Sequence, residues 1–336
     1  MGHNRDLGWT NTVNRPDLID VYRLTLDEGG TRYRFDGRWL PLETRRVWLP
    51  VRFGPIVLPV PRTVMRSVHG PVILNDSGAF AVRYAGIDQA RMVEQYYRIG
   101  KARSWEEWRA AMSVGGIPAT NFIYADRTGR IAYIYNALFP PRKPGFDYTG
   151  VLPGDRSAAL WTGSLPFDSM PKIVDPPSGF VTNANNTPFL SAGPGSEMNP
   201  RDYSPLLGIE RRLTNRGIRS VELMAADRSI TPEELVRIKF DTEYSRKSYV
   251  RPWMERILAL DLRDDPELRK AQDLLRTWDW RSDNRGGADV LAELMVRAAN
   301  GANYRGDPLP DPRAELSKWV DHLKKTYGPP RLQVGF

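Results

Sequence analysis

Through residues 1–87 apolar and polar positions alternate with period two, which predicts strands over residues 20–26, 31–35, 47–53, 56–68 and 79–84. Turn-forming runs at Gly29-Gly30, Asp36-Gly37 and Asn75-Asp76-Ser77-Gly78 separate them. From residue 88 to 114 the spacing becomes helical. Met92, Tyr96 and Ile99, then Trp105, Trp108 and Met112, recur three or four apart, and Ser104 with Glu107 offers a capping box. Residues 121–125 and 131–136 flank Asp126-Arg127-Thr128-Gly129 and read as a hairpin. A Pro- and Gly-rich stretch over 140–188 ends in a strand expected at 179–183. Beyond Ile209 the pattern is helical, with helices over 231–243, 250–260, 266–277, 288–299 and 312–327. The first of these opens with Thr231 as N-cap and Pro232 in the first turn. Strands, then a helix and hairpin, then helices give an α+β fold of mostly antiparallel sheet. The boundary falls near 205, between a sheet-rich region over 1–205 and a mainly helical one over 206–336, and no internal repeat is visible.

Composition narrows the class. With 336 residues, 41% hydrophobic, 28 Gly, 28 Pro and 10 Trp, the chain can bury a large core and carries many ordered loops, so disorder is excluded. Cysteine is absent, which removes disulfides, thiolate metal sites and a Cys nucleophile. No apolar run is long enough to span a membrane, and residues 1–30 lack the layout of a signal peptide. The net charge of +8 raises nucleic acid as a partner. The basic residues are dispersed among 40 acids, however, as in Glu210-Arg211-Arg212, so a solvated basic surface is the better reading.

Few residues carry chemistry by pattern alone. In Asn183-Ala184-Asn185-Asn186 the end of a strand would point Asn183 and Asn185 to one side, where an amide could donate to an oxyanion. A turn is the commoner outcome for such a cluster, since Asn bonds its own backbone and tolerates left-handed conformations. Asp17 and Asp20 bracket Ile19 and could share a calcium ion, which takes roughly six to eight oxygens; two carboxylates are too few, and a turn or cap is the simpler reading. Tyr96 fits a core position on its helix. His3, His69 and His322 are too scattered for a metal triad, and Asp283 and Asp289 beside Gly286-Gly287 suit the start of a helix. No nucleophile elbow, P-loop or dinucleotide Gly motif occurs.

A series of segments in fixed order says more. Gly2-His3-Asn4 followed by Trp9 and Thr12, the Asp17/Asp20 pair, Arg66-Ser67-Val68-His69-Gly70, Trp105-Glu106-Glu107-Trp108, Asn121 to Asp126 with Gly129 to Tyr133, and Gly179 to Pro188 resemble the penicillin acylase family of N-terminal-nucleophile amidohydrolases. Weaker matches continue through Phe240-Asp241-Thr242 and Leu275 to Asp279, and the details around Val13 and Thr182 to Phe189 look closest to acyl-homoserine-lactone and related lipid-amide acylases.

The resemblance implies part of an αββα sandwich with a mainly helical segment, and hydrolysis of an N-acyl amide bond in a small substrate. The candidates are an acyl-homoserine lactone, a β-lactam or a related N-acyl compound. It implies Asn185 and the backbone N–H of Val13 as oxyanion donors, and Met1, Tyr96 and Thr120 as lining of the acyl pocket. It further implies a structural calcium held by Asp17, the Ile19 carbonyl, Asp20, Asp202 and the carbonyl of Tyr148, with no cofactor for catalysis. The nucleophile would be a Ser freed by precursor cleavage, whose own α-amino group acts as base, placed roughly fifty to sixty residues before Gly2 and so outside this chain. Met1 is then an internal residue. The partners are an α-subunit and an N-terminal β segment of the same precursor, with no nucleic acid and no membrane, and the intact precursor would be periplasmic or extracytoplasmic. The family also continues past Leu332 to Phe336 into a further sheet. Ser204-Pro205 stands where an Arg is expected just ahead of Ile209, which leaves the orientation of Asn185 without its partner. A chain with this fold but no nucleophile is also what a non-catalytic binding or scaffold protein would present.

Overall fold

A computed structural model describes residues 1–328. Residues 332–336, where the resembled family continues into a further sheet, lie outside the described residues. The chain forms two compact units, Met1–Lys172 with Asn199–Glu210, and Ile173–Met198 with the chain from Arg211 on. It therefore passes between units after Lys172, Met198 and Glu210, where the hydrophobic pattern suggests a single change near 205.

The first unit holds the strands β1 (Gly2–His3), β2 (Leu7–Thr12), β3 (Ile19–Leu24), β4 (Arg32–Phe35), β5 (Arg38–Pro41), β6 (Glu43–Phe53), β7 (Ile56–Ser67), β8 (Gly70–Asn75) and β9 (Gly78–Tyr84). Helices α1 (Met92–Lys101) and α2 (Trp105–Met112) follow, then β10 (Ala119–Asp126), β11 (Ile131–Ala137) and β12 (Val151–Pro153). In one sheet β1, β2, β10 and β11 are successive antiparallel neighbours. The expected hairpin is present, running from Ala119 opposite Ala137 to Ala125 opposite Ile131. Trp9 faces Tyr124 and Asn11 faces Phe122, so these four share one face of the sheet. The aromatic residues of α1 and α2 cover that face: Trp108 lies 5.9 Å from Phe122 and 5.0 Å from Tyr124, and Tyr96 lies 5.9 Å from Trp9.

The second sheet has the order β12-β3-β9-β8-β7-β6, antiparallel except for the β12–β3 pair. Along β3 burial alternates, so Asp20, Tyr22 and Leu24 point inward while Ile19 and Arg23 face out. A carboxylate on the inward side of a strand needs partners, and they are described below. The expected strand pattern missed β8, which begins at Gly70 with φ +144°, where a Cβ would lie 2.2 Å from the Val82 carbonyl oxygen. Only Met65 to Ser67 of β7 pair with β8. The rest of β6 and β7 continues as a two-stranded ribbon to Phe53 opposite Ile56, with Trp48, Phe53, Ile56 and Val64 exposed along it.

In the second unit no strand forms at 179–183. The segment contributes one isolated bridge, Val181 to Ala192, and then bends, because the Asn cluster that follows bonds to its own backbone rather than to a ladder. The helices are α3 (Asn215–Ala225), α4 (Pro232–Lys239), α5 (Val250–Leu258), α6 (Pro266–Arg276), α7 (Asp289–Arg305) and α8 (Pro312–Tyr327). Their starts follow from capping. Thr231 and Glu234 form the reciprocal box, and Asp265 and Asp311 accept from the first-turn amides of α6 and α8. Asp283 and Asp289 likewise accept from the local amides of Arg285 and Gly286. Helices α5 to α8 enclose an apolar core centred on Trp253, Met254, Leu275, Met295 and Val320, and the Trp253 indole donates to the Met295 carbonyl at 2.8 Å.

Candidate active site

In the first unit β2 ends at Thr12 and the chain turns through Val13 to Asp17 under close control. Asn121, on β10 opposite Thr12, donates from Nδ2 to Thr12 Oγ1 at 3.2 Å and to the Val13 carbonyl at 3.4 Å, while its Oδ1 accepts from the Tyr133 hydroxyl at 2.7 Å. The buried Asn14 donates to the Asn136 carbonyl at 2.9 Å. The Arg15 amide donates to Glu210 Oε1 at 3.2 Å, and the Asp17 amide to the Gly208 carbonyl at 2.9 Å. Gly208 sits at φ +60°, and a Cβ there would lie 2.6 Å from Asp17 Cβ, so glycine permits that approach. Val13 itself is 62% exposed. A peptide held on both sides while its side chain stays open is suited to present a backbone donor.

Glu210 is half-buried, and its carboxylate accepts from the Tyr135 hydroxyl as well. Burial raises its pKa, opposed by the hydrogen bond from Tyr135; burial and the adjacent carboxylate raise that of Tyr135. Neither residue stands out in the sequence, because the pair spans 75 positions.

Of the expected acyl-pocket residues, Thr120 and Tyr96 come to one face of the first sheet. Thr120 lies on the same side of β10 as Phe122, and the Tyr96 hydroxyl accepts from Asn11 Nδ2 at 3.0 Å. Met1 stands 93% exposed ahead of β1. His69 is a core residue, fully buried against the rings of Tyr22 and Phe35, at 4.5 and 5.5 Å, and burial pushes its pKa down to about 4.

Asp20, fully buried on its strand, accepts from Arg142 Nε at 3.1 Å and Nη2 at 2.8 Å, and from the Trp161 indole at 2.5 Å. The same Nη2 lies 3.1 Å from Asp17 Oδ2. Burial nonetheless leaves the Asp20 pKa raised, outweighing the hydrogen bonds from Arg142 and Trp161. Tyr148 lies under the guanidinium, its ring centroid 5.0 Å away, and Asp202 ends an exposed 3-10 turn, Pro200–Asp202. As they stand these residues do not fit a divalent cation. A guanidinium takes up both Asp20 oxygens and the nearer oxygen of Asp17, and no group of three or more His, Asp or Glu converges among the described residues.

In the second unit the Asn cluster is a bend whose side chains hold one another. Asn183 Oδ1 accepts from the Asn185 amide at 3.0 Å, Asn186 Oδ1 accepts from the Ala184 amide at 2.7 Å, and Asn186 Nδ2 donates to the Leu190 carbonyl at 2.8 Å. Asn185 adopts φ +57°, the left-handed conformation that Asn accepts more readily than most residues. This corrects the expectation of a strand end with Asn183 and Asn185 aligned by alternation. Arg216, in the first turn of α3, donates from Nη2 to Asn185 Oδ1 at 3.1 Å. A cationic donor on Oδ1 fixes the amide's orientation and leaves Nδ2, a donor only, at the opposite corner. Gly217 lets α3 approach: a Cβ there would stand 2.8 Å from Asn186 Cβ. Thr214 caps the helix, and the Thr182 and Ser220 hydroxyls share a hydrogen bond that ties it to the bend. The arginine that meets Asn185 thus lies beyond Ile209 rather than just ahead of it, and the local signal for its place in a first helical turn is the Thr214 cap.

No helix among the described residues is long and apolar enough to cross a membrane. A family model described as Penicillin amidase matches residues 1–326. Penicillin G acylase of Escherichia coli is 31% identical over 56% of this chain and 22% of its own length. The acyl-homoserine lactone acylase PvdQ of Pseudomonas savastanoi pv. phaseolicola is 26% identical over 93% of this chain and 44% of its own. Among solved structures, a thermostable penicillin G acylase from Alcaligenes faecalis superposes with a TM-score of 0.69 at 22% identity, covering 98% of this chain and 63% of that one. The α+β architecture, with its sheets and, among the described residues, eight α-helices, matches the N-terminal-nucleophile hydrolase fold of penicillin acylase. The chain spans under half the length of the curated relatives it matches.

Proposed function

The chain belongs to the penicillin amidase family, and on that premise we propose that it forms part of an acylase that hydrolyses the N-acyl amide bond of a small substrate. The substrate is an acyl-homoserine lactone, a β-lactam or a related N-acyl compound, in keeping with the names of the relatives. The nucleophile in this reading is an N-terminal Ser on sequence outside the chain, working with an α-subunit of the same extracytoplasmic precursor.

The observation that carries the reading is Asn185, whose backbone N–H donates to Asn183 Oδ1 within the bend and whose side-chain Oδ1 accepts from Arg216 Nη2. Attack of a Ser hydroxyl on an acyl carbon places negative charge on the carbonyl oxygen, and a preorganised N–H donor lowers that barrier without having to reorient during the reaction. Asn185 Nδ2 is assigned as one donor. The second is the Val13 backbone N–H, in a stretch of chain that Asn121 anchors at Thr12 Oγ1 and the Val13 carbonyl and that Glu210 anchors at the Arg15 amide. Tyr96 and Thr120 are assigned to the acyl pocket with Met1.

The test is to coexpress the chain with the upstream segment that carries the Ser and to assay cleavage of N-acyl substrates of graded chain length. Asn185→Ala is expected to lower kcat by about a hundredfold or more, the usual cost of one oxyanion donor, with far less change in KM. Full activity in that variant removes Asn185 from the mechanism. A reconstituted wild type that cleaves no N-acyl substrate while still binding one shows a non-catalytic binding protein instead.

A further inference from the structure

The contacts of Arg142 reach well beyond one ion pair. Its guanidinium donates to both Asp20 oxygens, at 2.8 and 3.1 Å, and to the Leu206 carbonyl at 3.3 Å, and it lies 3.1 Å from Asp17 Oδ2. Its planar face covers the Tyr148 ring at 5.0 Å. The Arg142 and Asp20 side chains are 2% and 0% exposed. The partners come from four places along the chain: the turn before β3, β3 itself, residues 142–148 and the return at Leu206. Joining distant carboxylates and carbonyls at a single positive centre is the task of a structural cation, and the guanidinium performs it with directed N–H donors.

We propose that Arg142 stands in place of a divalent cation here, closing the Asp17 and Asp20 cluster to calcium and making this part of the first unit independent of metal. Two observations carry this beyond a simple ion pair. First, both Asp20 oxygens are already engaged, Oδ1 by Arg142 and Oδ2 by both Arg142 and Trp161, so a metal would have to displace or crowd the guanidinium to reach the carboxylate. Second, a dication seated between Asp17 and Asp20 would meet the guanidinium at contact distance in a buried site, where repulsion between like charges is least screened. The side chain cannot swing aside cheaply, because moving it would leave Asp20 buried and unpaired. The inference does not depend on the activity proposed above and is tested without it.

The experiment uses the full chain with terbium(III) as the probe, read by luminescence sensitised through the indole of Trp161, beside thermal melts in calcium and in EGTA. Wild type is expected to show no saturable terbium signal and the same Tm in both buffers. Arg142→Ala is expected to melt roughly ten degrees lower, as removal of one partner of a buried pair does, and to gain a saturable terbium signal that Asp20→Asn in the same background abolishes. Arg142→Gln replaces it should the alanine variant not fold. A wild-type chain that takes up terbium or calcium in a manner lost with Asp20→Asn overturns the proposal, and so does an Arg142 variant that gains no signal.

Discussion

His69 should make the first unit acid-labile in a calculable way. Its ring is fully buried beside Tyr22, Tyr33 and Phe35, its Nε2 has no hydrogen-bond partner, and Arg83 lies close enough to disfavour a second positive charge. Burial first and Arg83 second push its pKa from 6.5 to about 4. The folded chain therefore keeps His69 neutral while the unfolded chain takes up a proton below about pH 6.5. The unfolded state binds more protons across that window, so the stability contributed by a neutral His69 is present above it and is lost as pH falls. The difference of about 2.5 units corresponds to about 3 kcal/mol at its limit, with about 2 kcal/mol of it lost between about pH 7 and pH 5. His69→Phe removes the titration while keeping a ring in the site. Urea unfolding of both chains, followed by hydrogen exchange of peptides from β8 and β9 and corrected for intrinsic rates, measures the difference. Wild type should lose about 2 kcal/mol more than His69→Phe over that interval. Parallel pH profiles in the two chains would refute the claim that His69 stays neutral in the fold.

The helical unit offers two further tests. Gly217→Ala should gain about 1 kcal/mol of helix propensity but place a methyl group 2.8 Å from Asn186 Cβ. The expected net result is a loss of about 1 kcal/mol by chemical denaturation, with net stabilisation disproving the close approach. Trp253→Ala should cost the core of α5 to α8 about 3–5 kcal/mol, because a fully buried indole and its bond to the Met295 carbonyl both go. Circular dichroism at 222 nm against urea reads this directly, and a loss below about 1 kcal/mol would mean the core collapses around the gap.

The parts of the fold visible in the sequence are those set by local rules. Helix α8 begins at Pro312 after Asp311, and α4 begins at Pro232 after Thr231, because cap and first turn lie within four residues of each other. The β10–β11 hairpin is legible because Asp126 accepts from the Thr128 and Arg130 amides inside the turn itself. What escaped the sequence depends on partners far along the chain. Strand β8 starts with a glycine whose conformation suits only the close approach to Val82, and nothing near Gly70 announces it. The bend at Asn185 looks like a strand end until its side-chain bonds are known. The partner that aims its amide lies 31 positions away, and the arginine that joins Asp20 lies 122 away. Asp17 and Asp20 could be paired from their spacing, but no periodicity shows that their cation is a side chain.

The β6–β7 ribbon also bears on how the chain behaves in concentrated solution. β6 is an edge strand, and its open side would accept another chain's strand wherever a free amide row continues with apolar side chains beside it. Pro50 breaks that row midway, opposite Pro59, and Arg45, Arg46 and Arg52 place charge on either side. The apolar ribbon is thus kept from templating stacks by an interruption in its amide row, and a designer tempted to regularise the strand at Pro50 would be removing its guard against gelation.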